Sequence, residues 1–173
     1  VMVGMPGSGK SAVGSALARR LGVDFRDSDE EIQKAANMTI AEIFERYGEP
    51  FFREKEAQVI ARLLAGPPAV LSTGAGAFLQ PANREAIAAS GVSLWLDADL
   101  DLLWNRVRHK DTRPLLRTAD PRGTLAQLYE IRVPHYAEAD ISVKSVPGLS
   151  VEEMTDRVVA ALAARPDVLD PAI

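Results

Sequence analysis

The chain contains no cysteine, which excludes disulfides, thiolate metal sites and thiol nucleophiles together. It has only two histidines, His109 and His135, isolated in sequence and without metal-ligand spacing, so neither is expected to be catalytic. No apolar run approaches the ~20 residues needed to cross a bilayer, and no signal peptide is visible. There is no excess of basic charge either. Twenty Lys and Arg against 24 Asp and Glu leave a formal charge of −4, which does not suggest a nucleic-acid partner. Internal repeats and low-complexity segments are absent. What remains is a chain of 173 residues, 47% hydrophobic and 25% charged. That is the composition of one well-cored globular domain, and a cytoplasmic enzyme fits it best. The three-residue first strand and the lack of an initiating Met lead us to expect a few residues before Val1.

The most informative segment is Gly4-Met5-Pro6-Gly7-Ser8-Gly9-Lys10-Ser11, a G-x-x-x-x-G-K-[ST] phosphate loop. Glycines allow the main chain to approach an anion closely, so the backbone N–H groups of Gly7, Ser8, Gly9, Lys10, Ser11 and Ala12 are expected around the phosphates of ATP. The following helix adds its positive end. Lys10 is expected to reach the β- and γ-phosphates and the Ser11 hydroxyl to ligate Mg²⁺. An apolar stub at Val1–Val3 before the loop, and a helical pattern from Lys10 to Leu21 stopped by Gly22, supply the strand, loop and helix order that the motif requires.

Short apolar runs at Val1–Val3, Val23–Arg26, Ala69–Ser72, Val92–Leu96 and Ile141–Val143 alternate with helical patterns. They predict an α/β, P-loop NTPase-like parallel sheet of about five strands flanked by helices. Two helices are expected between the second and third strands. The first opens on the capping box Thr39-Ile40-Ala41-Glu42 and closes at Gly48; the second starts at Glu49-Pro50 and runs to Leu64. This insertion, about residues 29–65, is a natural place for an acceptor substrate. Further helices are read at Pro81–Ser90, at Leu100–Arg108, around Tyr129–Tyr136 with an interruption at Pro134, and after Ser150. Residues 109–123 are basic, carry two prolines and lack periodicity. They read as a mobile loop, either a lid over ATP or a solvated surface loop. The tail over 165–173 is expected to fray. Trp95 and Trp104 read as packing residues.

A phosphate loop alone leaves the reaction open. The guanine signature N-K-x-D is absent, and the one D-x-x-G match, Asp120 to Gly123, does not follow a strand, which argues against a GTPase. The length leaves no room for the accessory domains of a motor or transporter. A compact small-molecule kinase remains, and such an enzyme needs a proton acceptor, a Mg²⁺ shell and cations for the transferred group. Asp27-Ser28-Asp29 lies at the carboxyl edge of the sheet, where two carboxylates can divide the work between metal waters and acceptor hydroxyl. Equally, Ser28 or Asp29 can cap a helix. Arg53 and Glu56, three apart on one helix face, read either as a structural ion pair or as a guanidinium held ready for an anionic substrate. Arg132 poses the same question.

Taken together, these segments resemble shikimate kinases, in the family's order from Val1 to about Val159. Asp27-Ser28-Asp29-x-x-Ile32 is similar to that family's D-[ST]-D-x-x-I, Phe52-Arg53-x-x-Glu56 to its F-R-x-x-E, and Arg113-Pro114-Leu115-Leu116 to its lid motif R-P-L-L. The resemblance implies a single kinase domain over residues 1–173, commonly a monomer, acting on the 3-hydroxyl of shikimate with ATP and Mg²⁺ in the route to aromatic amino acids. By that similarity Asp29 takes the hydroxyl and Asp27 holds Mg²⁺ through water alongside Ser11. Arg53 and Arg132 grip the carboxylate, Arg113 meets the phosphoryl group, and Arg106 and Pro147 sandwich adenine. Gly74, Ala75 and Gly76 line the acceptor pocket, and here the chain departs from the family's three consecutive glycines. An alanine at 75 costs about 1 kcal/mol if its φ is positive and is silent if it is negative. Two alternatives stay open: another small-molecule kinase, such as one acting on gluconate, and a non-catalytic ligand-sensing module.

Overall fold

The computed structural model of the chain describes residues 1–109 and 118–168. Arg113, most of the expected lid and residues 169–173 of the tail lie outside the described residues. The elements in chain order are β1 (Met2–Val3), α1 (Lys10–Leu21), β2 (Asp24–Asp27), α2 (Ser28–Ala36), α3 (Ile40–Tyr47), α4 (Glu49–Ala65), β3 (Ala69–Ser72), α5 (Pro81–Ser90), β4 (Leu94–Asp97), α6 (Leu100–Val107), α7 (Pro121–Tyr136), β5 (Ile141–Lys144) and α8 (Val151–Ala163), with a short 3₁₀ turn at Ala77–Leu79. The strands form one parallel sheet in the order β2-β3-β1-β4-β5.

Alternation along the strands divides the core between the two faces of the sheet. Met2, Leu94 and Leu96 point to the side covered by α1 and α8, where Val13, Leu17, Met154, Val158 and Leu162 meet them. Val3 and Trp95 point to the other side, among Ile60, Phe78, Ile87, Leu103, Leu125 and Tyr136. Trp104 packs against this second cluster, so both tryptophans serve packing. Neighbouring parallel strands with helices on both faces require buried, near-continuous apolar runs, and β4 supplies one with Leu94, Trp95 and Leu96 all buried.

A third, smaller cluster of Ile32, Ile43, Phe52 and Val59 holds α2, α3 and α4 together beside the sheet edge. Three helices, not two, therefore separate β2 from β3. The additional one, α2, begins because the Asp27 carboxylate caps it, Oδ1 accepting from the backbone N–H of Asp29 at 2.9 Å and of Glu30 at 3.2 Å. Its cap is thus neither Ser28 nor Asp29, the two residues from which the sequence pattern predicts capping. It ends where Asn37 takes the left-handed conformation at φ 50°. The α3 cap is as expected, with Thr39 Oγ1 accepting from Glu42 N at 3.1 Å.

Two further expectations change near α7. The loop read as extending to Gly123 stops at Asp120, which caps α7 by accepting from Gly123 N at 3.1 Å, and Pro121 opens the helix. Proline at this first position lacks only an N–H that no helix would use, so it is a start signal rather than a loop marker. The helix also runs through Pro134. That residue sits in the last turn and is exposed, and Ala137 N donates to Val133 O at 2.9 Å to close the end. Among the described residues, no helix is long and apolar enough to cross a membrane.

Candidate active site

Five segments meet around the carboxyl ends of the strands. A cavity of about 710 Å³ is lined by the loop Pro6–Ser11 together with Asp27, Asp29, Thr73, Gly74, Ala75 and Arg106. Residues of the nucleotide motif and of the expected acceptor loop thus share one space.

On the nucleotide side, Gly7 and Gly9 adopt φ of 85° and 97°, a region that side chains rarely enter, and a Cβ on Gly7 would stand 2.7 Å from Val107 Cγ1. Torsion therefore dictates both glycines, and space dictates Gly7 as well. Gly9 is the N-cap of α1, which turns the helix's N-terminal amides toward the loop. Lys10 Nζ donates to the carbonyls of Gly4 at 2.8 Å and Met5 at 3.1 Å, curling over the loop it follows. Arg106 reaches from α6 to donate to Gly7 O at 3.0 Å, which holds it beside the loop. Pro147 is exposed and is not among the residues lining the cavity, although its neighbours Ser145 and Leu149 are. Ser11 is exposed at the first turn of α1, and Asp27 lines the same cavity. Mg²⁺ keeps several waters and needs few protein ligands, so a hydroxyl and one carboxylate at this place fit it. No cluster of three or more His, Cys, Asp or Glu suited to a metal occurs among the described residues.

On the acceptor side, Asp29 stands in the first turn of α2, against the loop after β3. Burial, with the like charge of Asp27 adding to it, pushes its carboxyl up from 3.8 to about 6, while Lys10 and Arg53 pull it back down. Those two opposing cations come one from the phosphate loop and one from α4. The carboxylate is thus electrostatically coupled to both halves of the site.

Arg53 is held on three sides. Its Nε donates to Glu49 at 3.4 Å and its Nη1 to Glu56 at 2.9 Å, and the guanidinium lies 5.2 Å from the centroid of the Phe52 ring. Glu56 is only 1% exposed, and burial raises its pKa against the pull of Arg53. The ion-pair reading is thus met by the half-buried Arg53 on the buried Glu56, and the remaining guanidinium nitrogen, Nη2, faces Gly76 of the acceptor loop. Among the described residues, the buried side-chain polar atoms without a hydrogen-bond partner are Ser8 Oγ, Asp29 Oδ1 and Glu56 Oε2. Ser8 and Asp29 line the cavity and Glu56 holds Arg53 beside it, so each unpaired atom is at or next to the place where a ligand would supply a partner.

The acceptor loop itself explains its glycines. A Cβ on Gly74 would lie 2.7 Å from Asp29 Oδ1, and one on Gly76 would lie 2.5 Å from Arg53 Nη2. Neither has a left-handed φ. A methyl at either position would have to push aside the tip of Asp29 or of Arg53, whereas the middle position makes no such demand on its backbone: Asn37 is the only non-glycine with positive φ among the described residues, so Ala75 is unstrained. The departure from the family's three consecutive glycines is accommodated without cost to the backbone.

Sequence reasoning missed two residues here. Ser28, fully buried, accepts from Gly74 N at 3.2 Å, and Tyr136, fully buried, donates to Ala75 O at 2.5 Å. Arg132, one turn before Tyr136 on α7, lies close enough to lower the pKa of its hydroxyl. The Ser28 contact spans 46 residues and the Tyr136 contact 61, so no local pattern announces either.

Comparison with known proteins agrees with this geometry. The family model described as shikimate kinase matches residues 6–163. The shikimate kinase of Ruegeria pomeroyi is 69% identical over 98% of the chain and 87% of its own length, and that of Cereibacter sphaeroides is 67% identical over 98% and 85%. Among solved structures, shikimate kinase from Acinetobacter baumannii in complex with shikimate superposes with a TM-score of 0.88 at 35% identity, covering 94% of this chain and 91% of that one. A phosphate loop sharing its cavity with a carboxylate and an arginine-faced glycine loop, in a chain so similar to these relatives along nearly its whole length, places it in the shikimate kinase family.

Proposed function

We propose that the chain transfers the γ-phosphoryl group of ATP to the 3-hydroxyl of shikimate, giving shikimate 3-phosphate and ADP within aromatic amino acid (chorismate) biosynthesis. The single observation that carries this reading is the shared cavity, lined both by the phosphate loop and by Asp29, Gly74 and Ala75. The relative from Acinetobacter baumannii that binds shikimate has the same fold around that place.

The roles of the residues are those that the resemblance to the family implies. The amides of Gly7 to Ala12 and Lys10 hold the phosphates, and Arg106, with Pro147, borders the adenine. Ser11, together with Asp27 through water, would hold Mg²⁺, which when bound offsets charge on the β- and γ-phosphates. Arg53 and Arg132 grip the carboxylate of shikimate, since guanidinium groups match carboxylate geometry. Gly74, Ala75 and Gly76 present main chain to the ring. Attack by the 3-hydroxyl oxygen forms the new bond to the γ-phosphorus; the bond to the β–γ bridging oxygen breaks, and ADP leaves with that electron pair. Asp29 accepts the hydroxyl proton. With a pKa near 6 it is ionised at neutral pH and still basic enough to serve. Arg113 meets the transferred group in the role that its R-P-L-L motif implies. The protein acts as one kinase domain in the cytoplasm, as a monomer with a small-molecule partner.

Release of ADP, followed with Mg-ATP and a panel of acceptors, tests the reading. Shikimate should support turnover and gluconate should not, and Lys10→Met should weaken both ATP binding and turnover. Binding of ATP and shikimate with no ADP formed would instead make the chain a ligand-sensing module.

A further inference from the structure

The acceptor loop Thr73–Gly76 has almost no side chain with which to anchor itself, so its position depends on what its main chain can reach. Thr73 is tied to β1, its N–H and hydroxyl both donating to Met2 O at 3.2 and 3.0 Å. Gly74 O and Gly76 O accept from Ala77 N and Leu79 N within the following turn. Two ties lead elsewhere: Gly74 N donates to Ser28 of α2, and Ala75 O accepts from Tyr136 of α7.

These two ties share a logic. Ser28 immediately precedes Asp29, and Tyr136 lies one helical turn after Arg132. The helices α2 and α7, which carry Asp29 and Arg132, thus each also deliver, from a neighbouring position, a hydrogen bond to the loop against which the acceptor rests. We infer that Tyr136 is a positioning residue for the acceptor: its hydroxyl, donating to the Ala75 carbonyl, fixes the register between the acceptor loop and the segment of α7 that carries Arg132.

The rest of the residue is built for this task. Tyr136 is 0% exposed and packs near Trp95, with ring centroids 6.1 Å apart, so the ring cannot swing away. Burial pushes its phenol up to about 12 against the opposing pull of Arg132, which keeps the donor proton in place throughout the neutral range. The contact of 2.5 Å is at the short end for O–H···O bonds. Phenylalanine would fill the same space in the core, so what the tyrosine adds is the hydroxyl and its tie to Ala75.

The inference rests on shikimate being the acceptor, and the experiment separates the two questions. Tyr136→Phe keeps the ring and removes the donor. The expected result is a rise in KM for shikimate of roughly 3- to 10-fold, the scale of one lost hydrogen bond. The KM for ATP should stay unchanged and kcat should stay within about twofold. Amide hydrogen exchange over residues 73–77 should quicken. A purely packing role would leave loop exchange and the KM for shikimate as in wild type, or shift both KM values together, and either result overturns the proposal. If the wild-type protein releases no ADP with shikimate, the functional reading fails on that control. Loop exchange in Tyr136→Phe then decides the tie by itself, since it needs no acceptor.

Discussion

The Asp29 carboxyl ties stability and activity to one titration. Its pKa in the folded protein, about 6, lies above the value of 3.8 expected when the group is freely solvated. The folded state therefore binds this proton more tightly than the unfolded state does. The stability Asp29 contributes is fully present below about pH 3.8 and is lost as pH rises through 6. The gap corresponds to about 3 kcal/mol at neutral pH. Asp29→Asn should consequently be more stable than wild type at pH 7.5, by about 1–3 kcal/mol, with the gain gone near pH 4. Urea unfolding at both pH values measures this, and equal stability differences at the two would contradict it. In the same variant turnover should fall by roughly 10²- to 10⁴-fold, and in wild type kcat/KM should climb through about pH 6 as the base ionises. Gly76 gives a second test at this scale. A methyl there would displace the tip of Arg53, a flexible end that moves at little cost to folding but leaves its grip on the acceptor. Gly76→Ala should raise the KM for shikimate roughly tenfold with a small change in Tm, whereas Ala75→Gly should be nearly silent in KM.

At the scale of elements, what could be read from sequence was whatever local chemistry dictates. The phosphate loop, the Thr39 cap, the glycine stop of α1 and the helix after Ser150 are all decided within a few residues, and the structure follows them. The helix α2 was obscured because its acidic start, Asp27-Ser28-Asp29, reads as chemistry and as a cap at once; in the event Asp27 caps and Asp29 is left to the site. Pro121 was misleading for a similar reason, since proline marks both loops and helix starts. The ties from Ser28 and Tyr136 to the acceptor loop depend on packing between segments far apart in sequence, which periodicity cannot supply. The α3 cap offers a clean check on the element itself. Thr39→Ala should cost about 1 kcal/mol, a fall of roughly 2–4 °C in Tm by calorimetry. Because no residue of α3 lines the cavity, kcat should not change.

For the whole molecule, the order β2-β3-β1-β4-β5 brings the ends of β1, β2 and β3 side by side, and this adjacency makes one cavity from segments as distant as Gly7 and Ala75. The parallel sheet was legible in the alternation of apolar runs and helices; the adjacency of its strands was not, because strand order is a property of the assembled fold. The central claim is that the two ligands meet across Asp29 in that cavity. Following the label from γ-labelled ATP in a single turnover with shikimate tests it most directly. The label should appear on shikimate with the wild-type protein and remain on ATP with Asp29→Asn, although that variant still binds both ligands. Label released only as inorganic phosphate, or transferred by Asp29→Asn at the wild-type rate, would contradict the account.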